Sequence, residues 1–515
     1  MSRIIIRNAR VLTLDAGDTE HSCASVVIED GLIQSLHTGS TAAGGLGRSD
    51  REIDASGMLL MPGLINGHFH SSANHLKGSF DSLPLEIFML YESPAESQPI
   101  APRAAYVRTM LAAMEMLRTG TTAVLDDAFF VPRPSLEIID AVMQAYADVG
   151  IRATLALDEP NVPEIRKYPY LADLLPPHLK QAASAPPTMG THDLLACYQH
   201  LIDRWHDAES GRLRAALSCS APHRVTPEYF RALNDLSIRY ELPMFIHVLE
   251  TKVQRVFGDE CLGGRSLVRY VDELGLLSDR LNIIHGIWLD EQDMDLIASA
   301  GGLIAHNPIS NLRLGSGIMP FRALRKRGIP ICLGTDEAIT DDAVNMWNVM
   351  KFAGLIHNIT HPDYLTWPTA HEILGCLVGG GVHAMRSPRP LGQVSPGYEA
   401  DLVLIELDTL PFTPLNDLRR QLVYCENGSS VRMTLVQGRI VFDNGRVTTV
   451  EEAAIRSEAR ELSARASTAA LGPGGYEASE WLPHYREMYL RAAARNVGLH
   501  RWAGDDGVAV KGKLT

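Results

Sequence analysis

Hydrophobic positions along the chain fall into two patterns. In the long central part, unbroken apolar runs alternate with stretches of helical period, and the runs cover residues 64–68, 121–127, 152–158, 213–218, 243–249, 281–289, 302–306 and 329–336. Strands that are apolar at every position are buried on both faces, as in a parallel sheet covered by helices. Eight such strand–helix units predict a (β/α)8 TIM barrel of the α/β class, with its chemistry at the C-terminal ends of the strands. Towards both ends of the chain the runs are shorter and bounded by turn residues. Residues 3–11, 25–29 and 32–37 read as strands, with Asp30-Gly31 as the hairpin signal between the last two. Residues 400–407, 431–437 and 439–444 repeat the pattern, broken at Gly438 and ended by Gly445. Neither group has enough strands to bury two faces alone, so the two are expected to pair into one small β-sandwich with the barrel inserted between them. The expected division is 1–62 and 389–450 for the sandwich, 63–388 for the barrel, and 451–515 for a C-terminal helical extension. That extension has helical composition over 451–470 and 481–496, interrupted at Gly472-Pro473-Gly474-Gly475, and a polar end at 504–515 that should fray.

With 515 residues, 46% apolar and 21% charged, the chain is neither disordered nor short of core material. A formal charge of −14, a pI near 5.7 and no basic block argue against a nucleic-acid partner and favour a small neutral or cationic one. Seven scattered cysteines, with no C-x-x-C pair, make a poor disulfide framework and point to a reducing, cytoplasmic setting. The opening Met-Ser-Arg-Ile-Ile-Ile-Arg holds too short an apolar run for a signal-peptide core. No apolar stretch reaches the roughly 18 residues of a membrane span, so no membrane partner is expected.

The ends of the predicted barrel strands carry the candidate chemistry. The first gives His68-Phe69-His70, the fifth His247 with Glu250 three residues on, the sixth His285, the seventh His306 and the eighth Asp336. In an extended strand residues i and i+2 share a face, so His68 and His70 can address one ion. One histidine ending an apolar run is commonly a core residue, but several runs ending in His or Asp at one layer are hard to obtain by chance. Three imidazoles and one carboxylate suit Zn²⁺ or Fe²⁺ and leave a position open for water, which assigns one divalent metal ion to His68, His70, His247 and Asp336.

The segments Pro62-Gly63-Leu64-Ile65-Asn66-Gly67-His68-Phe69-His70, His247-Val248-Leu249-Glu250-Thr251, Ile284-His285-Gly286, His306-Asn307-Pro308-Ile309-Ser310-Asn311 and Leu333-Gly334-Thr335-Asp336 occur in this order. Together they resemble the amidohydrolase superfamily, and more narrowly its cytosine deaminase-like branch, with S-adenosylhomocysteine and guanine deaminases and the triazine hydrolases. The resemblance spans about residues 3–450. It implies catalytic roles for Glu250, His285 and Asp336: Glu250 as the proton-transferring glutamate of His-x-x-Glu, and His285 as the histidine that polarises substrate. It also implies a homo-oligomer and a nitrogen-heterocyclic small molecule as substrate, from which an amino group is removed. Two-metal relatives carry a bridging lysine at the fourth strand, and residues 213–223 contain none, which implies a single ion.

Glu337 follows Asp336 where many deaminases of this branch have a small residue. Its carboxylate could meet an amino group on the ring, or it could cap the helix that follows. His223 is similar to a family position that touches substrate, with a backbone-bonded loop histidine as the alternative. His306 and Asn307 either orient substrate or fix a loop. Residues 75–99, rich in aromatic and aliphatic side chains, read as a lid over a planar ring or as a structural contact. Asp126 and Asp127 are expected to hold loop backbone, and His357 and His361 to be structural. Rival functions are loss of chloride or an alkylamine, cleavage of a urea or amide on the same site, and an inactive barrel serving as a binding or assembly protein.

Overall fold

In the computed structural model the described residues are 3–38, 46, 48–92, 99–467 and 479–502. The expected break at 472–475, the expected frayed end at 504–515 and residues 93–98 of the candidate lid lie outside them.

Both ends of the chain contribute to one nine-stranded sheet. Its N-terminal strands are β1 (Arg3–Leu12), β2 (Glu20–Glu29), β3 (Leu32–Thr38), β4 (Arg51–Asp54) and β5 (Met58–Pro62). The central region then supplies β6 (Leu64–His70), β7 (Thr121–Ala128), β8 (Arg152–Leu157), β9 (Leu213–Ala215), β10 (Leu217–Ser218), β11 (Met244–Val248), β12 (Leu281–His285), β13 (Leu303–His306), β14 (Ile331–Leu333) and β15 (Asp336–Glu337). The chain returns to the first sheet with β16 (Leu402–Glu406), β17 (Val431–Val436), β18 (Arg439–Asp443) and β19 (Arg446–Val447). The seam between the two ends is the antiparallel pair β5–β16, in which Met61 faces Val403. Alternation divides these strands between two cores: Leu60, Leu402 and Leu404 pack among themselves with Ile6, Val11 and Val26, while Leu59, Met61, Val403 and Ile405 join the main core.

The central strands form two five-stranded parallel sheets, β15-β6-β7-β8-β9 and β10-β11-β12-β13-β14. All residues of β6, β7, β8, β11, β12 and β13 are buried, as their continuous apolar sequences require. Only Ala216 separates β9 from β10, and its N–H donates to the Leu155 carbonyl at 2.7 Å. Gly334 and Thr335 separate β14 from β15, and Thr335 N–H donates to Asn66 Oδ1 at 3.1 Å. A Cβ on Gly334 would lie 2.5 Å from Asn307 Oδ1 and 2.7 Å from the His68 nitrogen, so only glycine lets β14 approach β6 there. The predicted run 281–289 is strand only to His285: His285 (φ 70°) and Gly286 (φ 56°) turn left-handed and send Ile287, Trp288 and Leu289 into a buried loop.

A buried ion cluster fastens the parallel sheets to the nine-stranded one. Arg152, at the start of β8 and 2% exposed, donates from Nε to Asp401 Oδ2 at 2.7 Å and from Nη2 to Glu399 Oε2 at 3.2 Å. Arg389 reaches the other Glu399 oxygen at 3.0 Å. Beyond β19 the helices Glu452–Ser467 and Leu482–Ala494 fall where helical composition predicts them. All seven cysteines are free, and no helix among the described residues is long and apolar enough to cross a membrane.

Candidate metal centre and active site

The C-terminal ends of β6, β11 and β12 and the start of β15 converge. His68 Nε2 lies 3.5 Å and His70 Nε2 3.4 Å from Asp336 Oδ1. Two atoms each about 2.0–2.2 Å from one tetrahedral ion are roughly 3.4 Å apart, so these separations match shared coordination. The His68 ring is 5.1 Å from that of His247 and 6.0 Å from that of His285, and ligand atoms of these three imidazoles lie within 4.8 Å of one another. His68 Nε2, the nitrogen nearest Asp336, is buried without a hydrogen-bond partner, as expected of a nitrogen that addresses a cation. The donor set therefore fits a divalent ion of the Zn²⁺ or Fe²⁺ kind.

Neighbouring groups fix which nitrogen faces the centre. Nδ1–H of His70 donates to the Asp127 carbonyl, that of His247 to the Ser220 carbonyl at 2.9 Å, and that of His285 to Asn311 Oδ1 at 2.9 Å. Each bond leaves Nε2 free to act. Burial holds His68 and His247 neutral, pushing their pKa down to about 3, and takes His285 to about 4. Burial also pulls on His70, but Glu337, Asp336, Asp158 and Asp126 outweigh it and raise its pKa. Asp336 shows the converse: burial raises its pKa, and the imidazoles of His68, His285 and His70 hold it well below the carboxylate range. Ser310 Oγ donates to Asp336 Oδ2 at 2.7 Å. Four non-glycine residues of this rim, Ser220, Leu249, His285 and Asp336, have positive φ, a backbone conformation that costs energy for an L side chain.

Glu250 is 3% exposed, with Oε2 3.5 Å from His285 Nε2 and Oε1 without a partner. Burial first, then Asp336, raises its pKa well above the usual value. The next helix, Lys252–Cys261, is capped by Thr251, whose hydroxyl accepts from Gln254 N–H at 3.3 Å, so Glu250 is free of that task. Glu337 is likewise not a cap: its side chain makes no capping bond to the helix after it, and the buried Oε2 is unpartnered.

These groups form one end of a cavity of about 840 Å³, lined there by His70, Asp158, His247, Glu250, His285, Asp336 and Glu337. His223, His306 and Asn307 are buried but do not line it. His223 packs 5.0 Å from Phe257. Asn307 Nδ2 lies 3.4 Å from His285 Nδ1, and His306 Nε2 meets His357 Nε2 at 3.1 Å. Asp126 holds loop backbone, accepting from Ser71 N–H at 2.9 Å. From the candidate lid, Leu85, Phe88, Met89, Leu90 and Glu92 line the cavity on the helix Leu85–Glu92.

Several lining or supporting residues had no assigned role in the sequence reading. Asp158 ends the third predicted run and could have been found by the strand-end rule; its carboxylate groups with His70 and His247. Ser310 and Asn311 stood in the seventh-strand motif without a role. Glu92 and Arg224 carried no signal. Glu92 is in hydrogen-bonding reach of Glu337, and burial raises the pKa of both. Arg224 is buried with Nε unpartnered and faces the carboxylates of Asp158, Glu250 and Glu164, whose charge it offsets.

His357 supports the seventh strand from behind, stacked 4.9 Å from Phe321, and burial, aided by Arg322, pushes its pKa down to about 3. An unfolded histidine has a pKa of about 6.5, so between pH 6.5 and 3 the unfolded chain binds the extra proton and stability falls as the solution is acidified, by about 1.4 kcal/mol per pH unit. Replacing His357 by Asn should flatten the slope of stability against pH in that window by about one proton. Urea melts at several pH values measure it, and an unchanged slope contradicts it.

Parallel strands whose C-terminal ends carry imidazoles and a carboxylate around one point define the class of metal-dependent hydrolases of TIM-barrel type. The chain belongs to the amidohydrolase family, whose sequence profile matches residues 59–441. Relatives include a 5'-deoxyadenosine deaminase of Methanosarcina mazei, 29% identical over 90% of this chain and 98% of that one. A 5-methylthioadenosine/S-adenosylhomocysteine deaminase of Syntrophobacter fumaroxidans is 30% identical over 89% and 97%. Among solved structures, an adenosine deaminase of Xanthomonas campestris with bound zinc has a TM-score of 0.79 at 25% identity over 91% and 99% of the two chains. The atrazine chlorohydrolase of Arthrobacter aurescens TC1, complexed with zinc, shares the fold with a TM-score of 0.78 at 23% identity over 89% and 100%.

Proposed function

We propose that this protein hydrolyses the exocyclic C–N bond of an aminated purine, pyrimidine or triazine-like ring, releasing ammonia. The observation that carries the reading is the placement of Glu250, buried, one oxygen unpartnered and 3.5 Å from His285, beside the overlapping His68–His70–Asp336 and His68–His247–His285 groups. In this reading the two parallel sheets are halves of one eight-stranded barrel, β9–β10 and β14–β15 each being a single interrupted strand. The barrel spans 63–388, segments 1–62 and 389–450 form the small sandwich, and 451–515 is the extension. The protein is a cytoplasmic homo-oligomer.

His68, His70, His247 and Asp336 would hold one Zn²⁺ or Fe²⁺ ion. Bound there, such an ion lowers the pKa of water from 15.7 towards about 7 and so supplies a nucleophile at neutral pH. Glu250 takes one proton as the oxygen of water bonds to the amino-bearing carbon and passes it to the ring nitrogen; it then takes the remaining hydroxyl proton and hands it to the departing amine, so that a carbonyl forms, the C–N bond breaks and ammonia leaves. His285, whose Nδ1–H is held by Asn311 and which Asn307 and His306 flank, presents the Nε2 lone pair, which accepts a hydrogen bond from the attacking water and orients it. Glu337, with Glu92 behind it, accepts hydrogen bonds from N–H groups of the ring. That feature favours an aminated substrate over a chlorinated one, since a chlorine offers the carboxylate no donor. His223 supports the wall from behind.

The test is a panel of aminated purines, pyrimidines and triazines, with chlorinated, alkylaminated and carbamoyl counterparts, offered to zinc-reconstituted protein. Ammonia release from the aminated members, abolished by chelation and restored by Zn²⁺, is expected. Chloride or alkylamine release without ammonia transfers the site to the rival chemistry, and a folded protein that neither binds metal nor gains activity from it is a binding protein.

A further inference from the structure

The cavity continues well past the metal-centre residues. At about 840 Å³ it is near the upper end of the range for drug-sized ligands, more than a bare heterocycle fills. Its outer wall comes from chain that follows the region matched by the family: the match ends at residue 441, and Ser479, Glu480, Trp481 and Tyr485 line the cavity. The helix Leu482–Ala494 is locked in place there. Tyr485, Met488 and Ala492 are buried in one cluster with Tyr168, Leu171 and Val256. The Tyr485 ring meets Tyr168 edge-on at 5.5 Å, and its hydroxyl donates to Glu164 at 2.8 Å. Lys252 Nζ donates to the Ala493 carbonyl at 2.6 Å, which ties the helix to the element that starts just after Glu250. Arg501 donates to the Ile287 and Leu289 carbonyls at 2.8 and 2.7 Å, in the loop that follows His285.

Charged groups on this wall are paired with one another: Lys167 with Glu164 at 2.7 Å, and His178 with Glu480 at 3.2 Å. The surface these pairs leave for a ligand is aromatic and aliphatic. Trp481, half-buried and 6.5 Å from the Tyr485 ring, stands on it with Tyr168, Leu179, Leu90 and Met89. We propose that the C-terminal helix completes an outer subsite for an apolar, aromatic substituent on the heterocycle, with Trp481 as its stacking residue. This rests on the deaminase reading for the position of the ring, and the subsite is built by the extension.

Calorimetric titration of zinc-loaded Glu250→Gln protein with 9-benzyladenine and 9-methyladenine tests it without turnover. The benzyl compound should bind roughly tenfold more tightly, the value of one aromatic contact with the area it buries. Adding Trp481→Ala should bring the ratio of the two Kd values close to one, and Trp481→Phe should keep most of it. Equal Kd values with Trp481 intact, no saturable binding of the benzyl compound, or a ratio that survives Trp481→Ala would each overturn the subsite. Turnover by the unaltered enzyme is read separately. If neither compound yields ammonia while the ratio holds, the adenine ring is not the one deaminated and the subsite stands; the deaminase reading itself falls only if the aminated pyrimidines and triazines of the panel also release none.

Discussion

Replacing Glu250 by glutamine should leave the protein folded and metal-loaded while slowing turnover by roughly 10²–10⁴-fold, the usual contribution of a positioned proton-transfer group. Glutamine matches glutamate in shape, and the backbone bond from Glu250 N–H to Gln254 Oε1, 3.0 Å long, does not involve the altered atoms. The four proposed ligands are untouched, so metal content should equal that of the parent. What is lost is the only change made: the side chain can no longer take a proton from water and return it to the amine. Stability offers a second reading. Burial raises the Glu250 pKa in the fold, so from about 4.5 upward the folded chain holds a proton that the unfolded chain has lost, and ionising this group in its buried place opposes folding. At neutral pH the metal-free glutamine variant should therefore be at least as stable as its parent, the familiar exchange of activity for stability. Metal analysis, ammonia release and a urea melt on the same preparation decide the matter. A near-parental rate would remove Glu250 from the proton transfer.

Arg152→Met should cost about 3–5 kcal/mol of stability, because it leaves Asp401 charged, buried and without its cation. Glu399 keeps Arg389 at 3.0 Å, and Asp401 keeps the Gln437 N–H at 2.8 Å, but neither replaces the guanidinium that lies 2.7 Å from Asp401. Removing both charges, as in Arg152→Met with Asp401→Leu, should recover part of the loss, since the penalty comes from the unpaired ion more than from the missing bridge. Urea unfolding of the two variants reads the difference as a shift in midpoint at constant slope. A loss below 1 kcal/mol for the single variant would mean that water reaches Asp401 and that this junction is less sealed than its 6% exposure indicates.

The parts of this molecule that were legible in its sequence are those in which one residue's environment is set by its own strand. Eight apolar runs correspond to β6 through β15, and His68, His70, His247 and His285, in the last residues of β6, β11 and β12, lie on one side with Asp336 at the start of β15 because parallel strands present their C-terminal ends together. The competing roles for Glu337 could be separated only in three dimensions, where the helix after it has no side-chain cap. Arg224 and Glu92 were illegible for a related reason. Nothing in a lone arginine after a histidine, or in a glutamate at the end of a short helix, says that it will be buried against charges from remote strands. The run at 281–289 extends past its strand because apolar composition does not register a change in the sign of φ at His285.

The seam between β5 and β16 bears on how the molecule comes into being. On a ribosome adding about 5–20 residues per second, β5 waits on the order of 20–70 s before its partner β16 emerges. Throughout that interval the edge of the nascent sheet that ends in Met58–Pro62 has unsatisfied main-chain groups, which is the condition that invites association with other chains. Pairing across such a separation is also intrinsically slow. The burden on cellular folding helpers should therefore fall on this early, half-finished edge, and a nascent chain arrested before residue 402 should be the species most prone to aggregate.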